Sequence, residues 1–216
     1  MSNKFIAGLI ENKDKPIKYL YLRFVGFIEK AFTYYYLKKH GVQTKYGYVK
    51  LIGLPIIRKH PFSSIVIGQG VTLVSKTSGN ILGINHPTIL ATLHKDAKIK
   101  IGKNSGLSGA SIIAVDSITI GENVGIGANC YVYDSDFHAI NSKLRKMQKG
   151  IQDLRKAKYS PIKIGNDVFI GLGVSILKGV TIGSEAAVGA GSIVTKDIKR
   201  KTIVAGNPAK FIKNIV

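Results

Sequence analysis

The sequence predicts a mainly β fold, a parallel β-solenoid of three-sided coils, preceded by a helical N-terminal segment. Three observations predict it. An aliphatic residue returns every sixth position in the C-terminal part, at Ile164, Ile170, Ile176, Ile182, Val188 and Val194. A small or β-branched residue follows four places later, at Val168, Val174, Val180, Ala186 and Ser192. The chain also holds 24 Gly and no Trp, which suits tight corners around a narrow interior.

A period of six matches neither a helix at 3.6 nor a lone strand at 2. It reads as a short extended segment, a corner, and another segment, three of which close one triangular coil. The aliphatic residue points into the prism and the small one fits the corner. Gly165, Gly171, Gly183 and Gly189 follow four of the six aliphatic residues, and glycine is expected there to supply backbone angles that other residues resist. Each coil buries its face only by stacking on its neighbours, so the unit is a solenoid.

Taken in order, residues 1–59 lack the repeat. From Pro16 to Lys39 the residues Ile17, Leu20, Tyr21, Phe24, Val25, Ile28, Phe32 and Tyr35 recur three or four apart. That spacing predicts an amphipathic helix that caps the solenoid or packs between subunits. The functional alternative is an interfacial helix on a membrane, helped by Lys18, Arg23, Lys30, Lys38 and Lys39. Residues 60–216 form the solenoid domain. Its first coils, 60–98, are irregular, with Ile65-Val-Ile-Gly68 and Ile81-Leu-Gly83 as weak echoes. The frame appears at Ile101, Leu107 and Ile113, then resumes after a one-residue insertion at Ile120, Ile126 and Val132. Residues 139–161 interrupt it with charged sequence that leaves the stack as an external loop.

Charge narrows the function. There are 32 Lys+Arg against 12 Asp+Glu, a formal net charge of +20. The excess is local: residues 1–60 hold twelve basic and three acidic side chains, and residues 143–163 hold eight and one. Such zones suit anionic ligands at particular places and argue against a protein that coats nucleic acid. Cys130 is the single cysteine, so no internal disulfide forms and a reducing compartment is expected. It reads as a small buried residue. Met1 to Lys15 has no signal-peptide arrangement and no stretch is long enough to span a membrane. A cytoplasmic protein is expected, with the basic segment at the inner face of the membrane as the alternative.

His138 carries the candidate chemistry. It lies in Tyr133-Asp-Ser-Asp-Phe-His138, where coils give way to the long loop. Imidazole titrates near neutrality and can take a proton from an attacking hydroxyl or amine. If this stretch is a strand, alternation puts Asp134, Asp136 and His138 on one face, where the carboxylates fix the ring tautomer and support the imidazolium. The bland alternative is a surface histidine in a polar loop. A metal hydrolase of the three-histidine type fails on inventory. The five histidines are His40, His60, His86, His94 and His138, with none in the coils between the last two. The glycines keep the coil rhythm and form no nucleotide-binding motif.

The stretch Asp-x-Asp-Phe-His138, the insertion, and Ser160-Pro-Ile-Lys-Ile-Gly-Asn-Asp-Val-Phe-Ile-Gly171 resemble the sugar and xenobiotic O-acetyltransferases of the hexapeptide-repeat acyltransferase superfamily. So do Gly179-Val-Thr-Ile-Gly183, Val188-Gly-Ala-Gly-Ser-Ile-Val-Thr-Lys-Asp197 and Ala205-Gly-Asn-Pro-Ala-Lys210. The likeness covers about residues 99–213. It implies a left-handed parallel β-helix, although parallel crossovers are normally right-handed. It also implies His138 as general base, acetyl-CoA as co-substrate with no metal, and a homotrimer with sites between subunits.

Phe169 stands where relatives often hold Trp along the pantetheine path. Leu172 stands where they often hold Ser or Ala, at the corner whose backbone N–H meets the thioester oxygen. Ala190, Thr195 and Lys196 match positions that contact CoA, and Lys213 matches a basic position near its phosphates. Relatives also place an Asn in an earlier coil to orient the acceptor. Here the nearest candidate is Ser108, and His86 in Ile84-Asn-His-Pro-Thr88 is a second acceptor-side candidate. The implied function is acetyl transfer to a sugar hydroxyl of a bacterial surface polysaccharide or glycolipid precursor. An N-acetyltransferase of a nucleotide-linked amino sugar and a non-catalytic scaffold are the alternatives.

Overall fold

The computed structural model describes residues 16–44, 49–147 and 156–216. The apolar run Phe5–Ile10, and parts of the N-terminal segment and the charged loop, lie outside these residues. So do the side chains of Ile17, Lys18, Leu20 and Arg23, which the helix reading uses.

The described chain is a parallel β-helix with three faces, each strand stacking on the equivalent strand of the coil before. Face A stacks β1 (Val42–Gln43), β4 (Ser64–Ile67), β7 (Lys98–Ile101), β10 (Ser117–Ile120), β13 (Ile162–Ile164) and β16 (Thr181–Ile182). Face B stacks β2 (Lys50–Ile52), β5 (Thr72–Val74), β8 (Gly106–Ser108), β11 (Gly125–Ile126), β14 (Phe169–Ile170), β17 (Ala187–Val188) and β19 (Thr202–Ala205). Face C stacks β3 (Ile56–Lys59), β6 (Ile89–Thr92), β9 (Ser111–Ala114), β12 (Tyr131–Tyr133), β15 (Ser175–Ile176) and β18 (Ile193–Val194). The last strand, β20 (Lys210–Asn214), folds back antiparallel on β19.

The six-residue rhythm maps onto these faces as expected. Ile164, Ile170, Ile176, Ile182, Val188 and Val194 are all essentially inaccessible, as are the corner residues Val168, Val174, Val180, Ala186 and Ser192. Ser192 apart, they form one continuous column of apolar side chains, whose burial is the main source of stability.

Glycine serves a different purpose from the one expected. None of Gly165, Gly171, Gly183 and Gly189 has a positive φ. A Cβ on Gly165 would instead stand 2.6 Å from the Ser184 backbone nitrogen, and one on Gly183 would stand 2.4 Å from that of Arg200. These positions need glycine because the next coil presses on them. The left-handed backbone falls at other corner positions, on Asn104, Asn123, Asp167, Glu185 and Lys201 at the A–B corners and on Asn129, Gly173 and Gly191 at the B–C corners. Asn tolerates that region better than most residues, and Asn104, Asn123 and Asp167 form a side-chain ladder along the edge.

Two boundaries also shift. The first coil begins at Val42, inside the segment expected to precede the solenoid. Val42, Leu51 and Ile57 are its inward residues, and their spacings of nine and six hide the rhythm. On β9 the inward residue is Ile112, which pairs with Val132, while Ile113 faces outward. The corner at Gly109 is one residue short, and the extra length falls at Val115 and Asp116.

Helix α1 (Pro16–Lys39) matches the expected span but presents the opposite face. Leu37 and Thr33 are buried, Leu37 within the core, and Tyr36 Oη donates to the Pro55 carbonyl at 2.6 Å. Tyr21, Phe24, Phe27, Ile28, Phe32 and Tyr35 point away from the solenoid and are about half exposed or more. No described helix is long and apolar enough to cross a membrane.

Candidate active site

The chain leaves the stack at the C–A corner after β12, and the two legs of the loop are zipped together. Asp136 N–H donates to the Lys158 carbonyl and Ser160 N–H to that of Asp134, both at 2.9 Å, around an antiparallel bridge between Ser135 and Tyr159. Gly179 N–H, one coil on, donates to the Ser160 carbonyl at 3.0 Å. This rigid stem carries His138. A three-residue turn closes with His138 N–H donating to the Asp136 carbonyl at 2.6 Å, across Phe137 at φ 57°. Positive φ in a bulky aromatic residue is strained, and strain of this kind clusters at functional sites. The His138 side chain is exposed, as a proton acceptor for an incoming substrate must be.

The stretch 134–138 is therefore not a strand, and the two aspartates do not share a face with the histidine. Asp134 is completely buried and points back beneath the coil. Its oxygens accept from Val115 N–H at 2.7 Å and Asp116 N–H at 2.8 Å. Those amides belong to the residues that lengthen the preceding coil. Without Asp134 the buried Val115 donor and the half-buried Asp116 donor lose their partner. Burial pushes the Asp134 carboxyl up, against the pull of the same amides. Its role is to hold the corner, in place of the expected support of the imidazole.

Asp136 pairs with Lys178, which stands at the C–A corner of the next coil, with Nζ 2.5 Å from Oδ1. The other oxygen, Oδ2, is buried with no hydrogen-bond partner. Sequence reading missed Lys178. Its only signal was coil arithmetic, since removing the loop leaves Asp136 and Lys178 at the same corner of successive coils.

The CoA-side candidates divide among the edges. Thr195 and Lys196 are exposed at the C–A corner, the edge that carries His138. Leu172 and Ala190 are exposed at the B–C corners, stacked because Gly171 lies against the Ala190 backbone. Phe169 is 62% exposed on the outer side of face B, and Lys213 is exposed on β20. One chain does not bring Phe169 and His138 to the same edge.

On the acceptor side, Ser108 is half-buried at the end of β8, its carbonyl accepting from Asn129 N–H at 3.2 Å. His86 sits in the insertion between β5 and β6, beside a cleft of about 380 Å³ lined by Ser75, Lys76, Asn85 and Pro87. Its Nδ1 contacts the Pro87 carbonyl at 2.8 Å. Among the described residues, no group of three or more His, Cys, Asp or Glu is placed to hold a metal ion.

Residues 98–134 and 161–196 match the family described as the hexapeptide repeat of succinyl-transferase, and that repeat implies left-handed winding. Galactoside O-acetyltransferase of Escherichia coli K12 is 40% identical over 121 residues, covering 55% of this chain and 55% of that protein. The chain spans about half the length of the curated relatives it matches. A solved polySia specific acetyltransferase superposes with a TM-score of 0.55 at 27% identity, covering 81% of this chain and 64% of that one. A galactoside acetyltransferase in complex with coenzyme A superposes with a TM-score of 0.50 at 28% identity, covering 78% and 64%.

Proposed function

We propose that this chain, whose coils belong to the hexapeptide-repeat acyltransferase superfamily, transfers acetyl from acetyl-CoA to a sugar hydroxyl, with His138 as general base. One observation carries the reading: an exposed histidine on a strained turn, held by a zipped stem and anchored through Asp136 to Lys178. The likeness to a galactoside O-acetyltransferase supports a hydroxyl acceptor over an amine.

In this mechanism the acceptor O–H lies against a ring nitrogen of His138. As the oxygen attacks the thioester carbonyl, its proton passes to the imidazole. The tetrahedral oxyanion is met by a backbone N–H near Leu172. The C–S bond then breaks, and the CoA thiolate leaves and takes the proton back. The acetyl ester and free CoA are the products. Lys196 and Lys213 supply positive charge for the nucleotide phosphates.

A second copy of the chain completes the site. Phe169 and His138 lie on different edges of one chain, so the aromatic wall comes from a neighbour in a homotrimer. The outer side of face B supports this. Gly106 and Gly125 precede Phe169 there with almost nothing within reach of a Cβ, so no contact inside the chain requires glycine. Glycine in a strand marks close approach by another body.

The outward stripe of α1 extends the proposal to a membrane-linked glycan acceptor at the cytoplasmic face. Phe24, Phe27, Ile28 and Tyr35 lie on one side of the helix, with exposed Lys30, Lys38 and Lys39 nearby. Apolar and aromatic residues with flanking cations suit an anionic lipid surface. Co-sedimentation with phosphatidylglycerol vesicles is expected for the wild type and not for the Phe24→Ser/Phe27→Ser variant. Equal binding by both removes this part.

The test of the whole is thiol release from acetyl-CoA across sugar, amino-sugar and lipid-linked acceptors, with the product challenged by mild base. A base-labile ester is expected, and a stable amide selects the N-acetyl alternative. His138→Ala is expected to lose at least about two decades of turnover while CoA still binds. Unchanged turnover removes His138 as the base, and absence of both CoA binding and thiol release leaves a scaffold.

A further inference from the structure

Strand β12 turns Tyr131 and Tyr133 to the outer side of face C, because alternate residues share a side and Val132 between them is fully buried. Tyr131 is 41% exposed. Its neighbours at the same level are Ser111 one coil before and Ser175 one coil after. Neither serine rises to the height of the ring; Ser111 is buried and Ser175 half-buried, so the tyrosine stands as an aromatic plate beside the Ser175 hydroxyl.

The plate belongs to a longer line. The His86 ring lies 5.8 Å from that of Tyr131 at an interplanar angle of 50°. At the other end, the Tyr133 ring lies 5.8 Å from that of Phe137, the residue immediately before His138. Four rings thus cross face C from the B–C corner to the corner that bears the proposed base. Both ends are fixed. Asn85 N–H donates to Asn129 Oδ1 at 2.8 Å and ties the His86 insertion to the coil of β12. His86 donates from Nδ1 to the Pro87 carbonyl, since a carbonyl only accepts. Its Nε2 is buried beside the plate with no protein partner.

An exposed aromatic face beside a hydroxyl and an imidazole has a natural ligand class. A pyranose presents an axial C–H face that packs on a ring, and a rim of hydroxyls that needs donors and acceptors. A lipid chain or a partner's apolar side chain gains nothing from the Ser175 hydroxyl or from the unpartnered imidazole nitrogen of His86. The geometry points to the outer face of β12 as the acceptor platform, with a sugar ring seated on Tyr131 and its reacting hydroxyl directed past Tyr133 and Phe137 to His138. This inference rests on the reading of His138 as the base and names the ligand's chemistry: a carbohydrate ring in the acceptor, recognised by stacking.

The test is ligand-observed saturation-transfer NMR on the full chain with CoA bound, using the methyl glycosides of galactose, glucose and N-acetylglucosamine as probes. Saturation of ring C–H protons is expected for at least one glycoside with the wild type and with Tyr131→Phe. Tyr131→Ala is expected to weaken that glycoside about tenfold or more, with CoA affinity unchanged as the control for folding. Tyr133→Ala, nearer the base, is expected to move turnover more than glycoside binding.

Absence of transfer to all three glycosides overturns the platform, as does transfer undiminished in Tyr131→Ala. A change of oligomeric state in Tyr131→Ala by light scattering also overturns it, because the face is then an interface between copies. The two readings fail differently. Sugar binding that depends on Tyr131 without acetyl-CoA consumption removes the transferase reading alone. Consumption with acceptors that lack a sugar ring, and no glycoside binding, removes the platform alone.

Discussion

Lys178 Nζ and Asp136 Oδ1 meet at 2.5 Å across the gap between two coils, with only 28% and 23% of their side chains exposed. This ion pair joins the stem of the loop to the body of the solenoid two residues before His138. Replacing Lys178 with Met leaves a mostly buried carboxylate alone. Removing one partner of a buried pair costs several kcal/mol, and partial exposure here reduces that to about 1–3 kcal/mol. Thermal unfolding is expected to drop by several degrees, with a loss of turnover as the histidine's turn loosens. Adding Asp136→Asn to Lys178→Met is expected to restore much of the melting temperature. A double variant no more stable than the single one argues against the pair as the cause.

Asp134 gives a sharper effect. Truncating it to Ala strands the Val115 amide in the interior, at about 1–3 kcal/mol for an unsatisfied donor, and removes the partner of the half-buried Asp116 amide. Asp134→Asn keeps one acceptor and is expected to cost less in urea unfolding. The pH dependence has a definite sign. Burial holds this carboxyl above its ordinary value, so the folded chain binds its proton more tightly than the unfolded chain does. The group's own contribution is complete below the unfolded value near 4 and is lost as pH rises through the folded one. The stability gap between wild type and Asp134→Asn is therefore expected to narrow as pH rises above about 4.

Cys130 should be chemically silent while the chain is folded. Its thiol is inaccessible and donates to the Gly171 carbonyl at 3.0 Å, and burial pushes it up to about 11. Thiolate is the reactive form. A disulfide reagent at pH 8 is expected to titrate no thiol in the native chain and one in denaturant. Rapid modification of the native chain contradicts this burial.

Adjacent residues on β14 separate function from stability. Phe169 is largely exposed and Ile170 is fully buried. Ile170→Ala is expected to cost about 2–5 kcal/mol by denaturant titration. Phe169→Ala is expected to leave the midpoint almost unchanged and to weaken CoA about tenfold. Undiminished CoA affinity in Phe169→Ala rules out the aromatic wall.

These contrasts show what could be read without coordinates. The coils were legible because each face buries one aliphatic residue per turn, and Ile164 to Val194 keep that register without interruption. The first coil was not, since the residues between Val42 and Leu51 stretch the interval beyond six. Ile112 and Ile113 are equally apolar, so only the short corner at Gly109 decides which one points inward. The helix was legible as a helix from its apolar spacing, but spacing says nothing about which body the stripe faces. His138 stood out by its place before the loop. Asp134 was misread because its partners are backbone amides on another coil, which have no signature in side-chain sequence.

The antiparallel return of β20 has a consequence for the life of the molecule at high concentration. A parallel coil stack has no natural end: its last rung offers the same free backbone groups as every rung inside it, and a second chain could dock there and continue the column. β20 runs the other way along β19, and the approach to it lets Ala209 N–H donate to the Ile193 carbonyl on the neighbouring face. Its polarity is wrong for another coil, and Lys210 and Lys213 add charge at the open edge. Along face B the chain thus covers its own last parallel strand with five residues that run the other way.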